Sequence, residues 1–130
     1  MAKILIVEDN ALNIKLFCDL LAAHGHQPEA VTDSRNALDA ARAFSPDLVI
    51  TDIQLPHVSG LELIRMIRAE EKLAEVPIMA VTAYSGRGDE DRIRAAGAQA
   101  YVSKPISVAR FVQEVDALLA GKRQTVTQEG

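Results

Sequence analysis

The chain has one cysteine, Cys18, so no internal disulfide can form and a reducing cytoplasm is the natural compartment. Cys18 falls within an apolar helical pattern, which makes it a core thiol in this reading. No long apolar run occurs. Met1-Ala2-Lys3 leads without an export signal into Ile4-Leu5-Ile6-Val7, far too short to span a bilayer. An excess of basic charge is also missing. Fourteen Lys and Arg stand against eighteen Asp and Glu, a net charge of −4, which argues against nucleic acid or an anionic membrane surface as the main partner. Neither GxGxxG nor GxxxxGK[ST] occurs, so dinucleotide and P-loop readings fall. There is no internal repeat, low-complexity stretch or linker. The 130 residues therefore read as one domain, with residues 1–121 folded and 122–130 a polar, frayed tail.

What is present alternates. Ile4 to Val7 is an apolar strand that ends in Glu8-Asp9-Asn10, and Leu12, Ile14, Leu16, Phe17, Leu20 and Leu21 then predict a helix stopped by Gly25. Glu29 to Thr32 is a weaker, partly polar strand suited to a sheet edge. Ser34 is the expected N-cap of an Ala-rich helix running to Phe44, closed by Ser45-Pro46. Leu48 to Asp52 is a strand buried on both faces. Ser59 and Glu62 have capping-box spacing, with Val58 and Leu63 placed as a hydrophobic staple. Val76 to Thr82 is the fourth strand. The segment Gly86 to Gly97 is a predicted helix with only Ile93 as a large aliphatic anchor. Ala100-Tyr101-Val102 is a short strand, and Ser107 caps a last amphipathic helix. Strand and helix alternating five times give a parallel sheet covered on both faces.

Chemistry-bearing residues fall at four strand ends. In a sheet of order 2-1-3-4-5 the first and third strands are neighbours, and ligands bind beyond the carboxyl ends of the strands. Glu8 and Asp9 then lie beside Asp52. Unit charges about 4 Å apart repel by roughly 4 kcal/mol at a surface-like dielectric, so such an all-oxygen nest calls for a cation and suits Mg²⁺. Helix-dipole pairing accounts for acids at Glu8-Asp9 but not for their coincidence with Asp52. Thr82 ends the fourth strand with a hydroxyl, and Lys104 ends the fifth with an ammonium. Each alone is a common strand-end residue. Together with the acids they are the complement expected around a phosphoryl group.

The residues Leu5-Ile6-Val7-Glu8-Asp9-Asn10, Asp52-Ile53-Gln54-Leu55-Pro56 with Ser59-Gly60, Ala80-Val81-Thr82-Ala83 and Tyr101-Val102-Ser103-Lys104-Pro105 resemble the receiver domain of two-component response regulators. The resemblance covers Lys3 to Ala120. Asn10, Asn13 and Ala83-Tyr84, and the absence of an output domain, bring it nearest the single-domain cell-cycle regulators of the DivK type. It implies a flavodoxin-like, doubly wound α/β fold. It also implies that Asp52 accepts a phosphoryl group from a histidine kinase or phosphotransfer protein, with Thr82 and Lys104 assisting. In that resemblance Asp9 and Asp52 hold Mg²⁺, Glu8 acts through water and the Gln54 carbonyl is a backbone ligand. Lys104 pairs with Asp52 before phosphorylation, Thr82 and Tyr101 form the switch pair, and the Lys104-Pro105 bond is cis. Effector proteins are expected on the face of helix 86–97, strand 100–103 and helix 107–120. Glu8-Asp9 replaces the commoner Asp-Asp, and Thr51 is more polar than the usual residue before the acceptor.

Rival readings fit less well. A haloacid-dehalogenase-type phosphatase needs a second Asp two residues after the nucleophile, where Gln54 cannot move a proton. A flavodoxin needs a hydroxyl- and glycine-rich loop after the first strand, where Glu8-Asp9-Asn10 would repel a flavin phosphate. The remaining rival is an interaction module that keeps the fold and works without phosphorylation. The expected protein is thus a cytoplasmic phospho-accepting switch and not an enzyme acting on a separate substrate.

Overall fold

The computed structural model describes residues 2–83 and 87–129, the side chains of 87 and of 122–129 excepted. Tyr84 and the Gly86 start of the predicted fourth helix lie outside the described residues. Five strands, β1 (Lys3–Val7), β2 (Gln27–Val31), β3 (Leu48–Asp52), β4 (Ile78–Thr82) and β5 (Ala100–Ser103), form one parallel sheet of order β2-β1-β3-β4-β5. Five helices connect them: α1 (Ala11–Ala23), α2 (Ala37–Phe44), α3 (Gly60–Ala69), α4 (Arg87–Ala96) and α5 (Val108–Glu129). This is the expected α/β, flavodoxin-like architecture. α5 continues past Gly121, so the backbone of the polar segment expected to fray is helical here. Lys, Arg and Gln, which have good helix propensity, follow that glycine.

The period-two pleat sorts each strand between two cores. Leu5, Val7, Val49, Ile78 and Ala80 face Leu63, Ile64, Ile67 and Ile93 on the side of α2, α3 and α4. Ile4, Ile6, Leu48, Ile50, Met79 and Val81 face Phe17, Leu21, Phe111 and Val115 on the side of α1 and α5. Phe17 and Phe111 stack with ring centroids 4.9 Å apart and an interplanar angle of 8°. Such a pair adds about 0.5–1.5 kcal/mol to the burial of the rings. β2 is one of the two edge strands; it carries Pro28 and has only exposed and half-buried residues, as an edge tolerates.

Three local expectations change. Ser34 does not cap α2. It lies in a 3-10 turn, Ser34–Asn36, capped by the Asp33 side chain, and α2 begins afterwards at Ala37. Leu12, counted in the apolar stripe of α1, is 80% exposed. β2 begins two residues earlier than the sequence pattern suggests, because Gln27 N–H donates to the Ala2 carbonyl and extends the pairing with β1. The other helix signals hold. Ser59 Oγ accepts from Glu62 N–H at 3.2 Å, and Ser107 Oγ accepts from Arg110 N–H at 3.3 Å. Gly25, at φ 83°, ends α1.

Gly60 opens α3 where the chain after β3 doubles back against itself. A Cβ there would stand 2.2 Å from the Asp52 carbonyl oxygen and 2.6 Å from Ile53 Cα, both backbone atoms that cannot yield cheaply. Gly60→Ala should therefore cost about 3 kcal/mol or more, lowering the thermal midpoint by roughly 10 °C. Gly25→Ala meets no atom within 4 Å and strains only its positive φ, a cost of about 1–2 kcal/mol. Thermal unfolding of the two variants compares them; equal losses would contradict the close approach at Gly60.

Candidate functional site

Backbone bonds to neighbouring strands fix the positions just beyond each strand end. Glu8 N–H donates to the Val31 carbonyl of β2 at 3.1 Å, Ile53 N–H to Val81 of β4 at 2.9 Å, and Lys104 N–H to Thr82 at 2.8 Å. The sheet thereby sets Glu8, Asp52, Thr82 and Lys104 on one rim. Lys104 Nζ lies 2.8 Å from Asp52 Oδ2 and 3.7 Å from Glu8 Oε1. Oxygens of Glu8, Asp9 and Asp52 all lie within 4.8 Å of one another. Glu8 and Asp52 are 1% and 3% exposed, whereas Asp9 is exposed. The Lys104-Pro105 bond is cis, as the resemblance implies.

Glu8 is held by groups that the sequence reading did not assign. Asn10 N–H donates to its Oε2 at 3.2 Å, and Asn13 Nδ2 donates to Oε1 at 3.4 Å. Asn10 also caps α1 by accepting from Asn13 N–H at 3.1 Å. The Asn10–Asn13 spacing was the only signal for this arrangement. The loop after Asp52 is held by Ser34, whose hydroxyl donates to the Pro56 carbonyl at 2.9 Å and accepts from Val58 N–H at 3.2 Å. No local pattern foretells those contacts. His57, in the same loop, is exposed and takes φ 70°. The buried Thr51 hydroxyl donates to the Asp52 carbonyl, which satisfies a polar group within the strand.

Gln54 engages the site through its backbone N–H and its side chain. Its N–H donates to Asp52 Oδ1 at 3.1 Å. Its side-chain Nε2 donates to Thr82 Oγ1 at 3.1 Å, and its Oε1 accepts from Ala83 N–H at 3.1 Å. Tyr101 is drawn to α4. Its hydroxyl donates to Glu90 Oε1 at 3.2 Å, and the Arg94 guanidinium lies 5.9 Å from the ring centroid. The structure thus gathers Glu8, Asp9, Asp52, Gln54, Thr82 and Lys104 together. Tyr101 stands one step away, with its backbone paired opposite Ala80.

The electrostatics favour a cation. Burial and the nearby Asp52 carboxylate push the Glu8 carboxyl up to about 7, against the Asn10 and Lys104 contacts that lower it. Burial opposes the Lys104 charge, but its bond and charge contact with Asp52, with Glu8 and Asp9 behind, hold its pKa above the ordinary lysine value. Three carboxylates around one ammonium leave negative charge uncompensated. Hard oxygen donors without His or Cys fit Mg²⁺.

The raised Glu8 value has a signed consequence. Between the unfolded carboxyl value, 4.5, and about 7 the folded chain holds a proton that the unfolded chain has lost. In metal-free buffer Glu8 should therefore erode stability as pH rises through that window. Thermal midpoints across pH 4 to 8 for the wild type and Glu8→Gln test this. The difference between the two should move in the variant's favour as pH rises; a difference independent of pH would contradict it.

A family model described as the response regulator receiver domain matches residues 4–116. The polar-differentiation response regulator DivK of Brucella ovis is 49% identical over 116 residues, which cover 89% of this chain and 94% of that protein. The receiver domain of a sensor histidine kinase from Pseudomonas aeruginosa, solved with a magnesium ion coordinated in its active site cleft, superposes with a TM-score of 0.84. It is 31% identical, over 92% of this chain and 98% of that one. A chemotaxis protein of Vibrio cholerae shares the fold at a TM-score of 0.86 and 24% identity, over 91% and 98% of the two chains. The matched span contains every one of the strand-end residues, and the chain belongs to the response regulator receiver domain family, the phospho-accepting switches of two-component signalling.

Proposed function

We propose that Asp52 accepts a phosphoryl group from a histidine kinase or histidine phosphotransfer protein, and that the aspartyl phosphate changes which proteins this chain binds. The observation that carries the reading is the Lys104–Asp52 contact of 2.8 Å beside two further carboxylates. An Asp52 oxygen forms the new O–P bond while the phosphohistidine P–N bond breaks. The Lys104 ammonium then exchanges its carboxylate partner for a phosphoryl oxygen. Asp9, Asp52 and the Gln54 carbonyl would hold Mg²⁺, with Glu8 behind a water. Bound Mg²⁺ would offset the acidic charge and the charge developing on the phosphoryl group. The chemistry is self-phosphorylation and its reversal, not turnover of a separate substrate.

Thr82, buried at the end of β4, carries the signal outward in this reading. Its hydroxyl moves toward a phosphoryl oxygen, and Tyr101 responds at the edge of α4. A swing from 1:99 to 99:1 takes about 5.5 kcal/mol of differential interaction. One neutral hydrogen bond contributes about 1 kcal/mol, so the charged contacts must supply most of it and Thr82 relays the change. Effectors would then read α4, β5 and α5, over residues 86–97, 100–103 and 107–120. We place the receiver unit at 1–121 with 122–130 as an appendage, in the cytoplasm, in cell-cycle or cell-fate control. Among the described residues no helix is long and apolar enough to cross a membrane.

Intact-mass analysis with acetyl phosphate and Mg²⁺ should show one added phosphoryl group, absent in Asp52→Asn and in EDTA. Labelling that persists in either case would remove Asp52 or the metal from the reaction, whereas a wild type that takes up no phosphoryl group would leave an interaction module. Asp9→Ala should weaken Mg²⁺ binding more than Glu8→Ala, as isothermal titration can read. Thr82→Ala should still be labelled at Asp52 while losing most of the beryllofluoride-dependent gain in binding to a cognate kinase. An undiminished gain would take Thr82 out of the relay.

A further inference from the structure

The Gln54 side chain reaches from the acceptor loop to the end of β4 and closes two hydrogen bonds there. Its orientation is determined by its partners. The Ala83 N–H can only donate, so the carbonyl Oε1 must face it, which turns Nε2 onto Thr82 Oγ1. Both bonds are 3.1 Å, and both end on the segment that must move if the Thr82 hydroxyl is to approach a phosphoryl group on Asp52. The same residue's backbone N–H is bonded to Asp52 Oδ1 at 3.1 Å, which ties the base of the latch to the acceptor. Both side chains of the pair line a cavity of about 160 Å³, together with Leu61 and Ile93 among others. The amide can therefore leave Thr82 without displacing core atoms.

From this geometry we infer that the Gln54 side chain is a positioning residue that holds Thr82 and Ala83 in the resting arrangement and so sets how readily the phosphorylated arrangement is reached. The inference rests on the phospho-acceptor reading of Asp52. Its physical content is an opposition. Each bond that Gln54 makes to the resting segment lowers the fraction of molecules ready to receive the phosphoryl group. The apparent affinity for a phosphoryl mimic falls by that same fraction. Two neutral hydrogen bonds of ordinary strength correspond to a shift of about thirtyfold. Substitution of the side chain leaves the Gln54 backbone carbonyl in place.

The test is titration of the full chain with beryllofluoride at saturating Mg²⁺, followed by fluorine NMR, for the wild type and Gln54→Met. The same pair is repeated in a Thr82→Val background. Gln54→Met keeps the length of the side chain without its donor and acceptor, and should raise the apparent beryllofluoride affinity about thirtyfold. With Thr82→Val only the bond to Ala83 remains to be lost, so the gain should shrink to about fivefold. Gln54→Ala should act in the same direction if Gln54→Met folds poorly, and thermal unfolding reports that. A merely structural Gln54 would lower the midpoint and leave the affinity unchanged; that outcome, or a weaker affinity, overturns the latch alone. A wild type that takes up neither acetyl phosphate nor beryllofluoride overturns the phospho-acceptor reading, and the latch falls with it.

Discussion

Two buried carboxylates, Glu8 and Asp52, share the one ammonium of Lys104, and the arrangement of the rim follows from that shortage. A buried carboxylate without partners is among the most costly features a fold can hold. Removing one member of a buried ion pair typically costs about 3–5 kcal/mol. Lys104 cannot balance both acids and the exposed Asp9 beside them. The remainder is met by amides, from Asn10 and Asn13 to Glu8 and from Gln54 to Asp52, and by a Glu8 carboxyl that keeps its proton up to about pH 7. A site built this way is stabilised by whatever positive charge reaches it. The same oxygens that repel one another are the ones that gather a divalent cation.

The sheet is what makes this crowding possible. In a parallel sheet every strand points the same way, so four chain segments far apart in sequence deliver their ends to one rim. The register places Asp52 opposite Val81 and Thr82 opposite Ser103, one residue before Lys104. The strands bearing the site are covered on both faces, with no exposed residue among Leu48 to Asp52 or Ile78 to Thr82. Sliding a strand by one residue would turn every apolar side chain to the opposite core. The packing of Ile50 and Met79 therefore fixes the acid and hydroxyl positions as firmly as any contact at the site does.

Much of this was legible in the sequence, for a physical reason. Fully buried strands announce themselves as apolar runs, and the residues that break those runs, Glu8, Asp52, Thr82 and Lys104, are the ones the rim uses. The motifs supplied the strand order. What escaped was non-local. Ser34 looks like a helix cap because serine before an apolar helix usually is one. Its actual partners lie at Pro56 and Val58, more than twenty residues onward, and nothing near Ser34 points to them. Leu12 fits the helical period, but periodicity does not say where a covering partner ends, and Leu12 lies outside the covered stretch. The Gln54 side chain was legible only as a missing proton donor, beside the backbone carbonyl that the resemblance makes a ligand. The use of its amide depends on the strand neighbour it faces, and sequence spacing does not encode that.

The anchoring of α4 was also underestimated, and its distribution bears on how a signal leaves the site. Ile93 is the one large aliphatic of α4 among the described residues, as expected, and is joined by buried Ala96. The rest of the anchoring is polar and concentrates at the C-terminal end. Arg94 donates to the Gln99 carbonyl at 2.9 Å. Arg68 of α3, half-buried, donates to the carbonyls of Gly97, Ala74 and Val76 and to the Gln99 side chain. A guanidinium that satisfies several carbonyls at once is worth several ordinary hydrogen bonds, since charged donors make the stronger ones. Nearer the site, among the described residues, α4 is tied to β5 by the hydroxyl bond from Tyr101 to Glu90 and by Arg94 over the Tyr101 ring. The proposed relay through Thr82, worth about 1 kcal/mol, would match that bond and not the Arg68 clamp. On that proposal the Tyr101–Glu90 bond would be the responsive contact and Gly97 the fixed point.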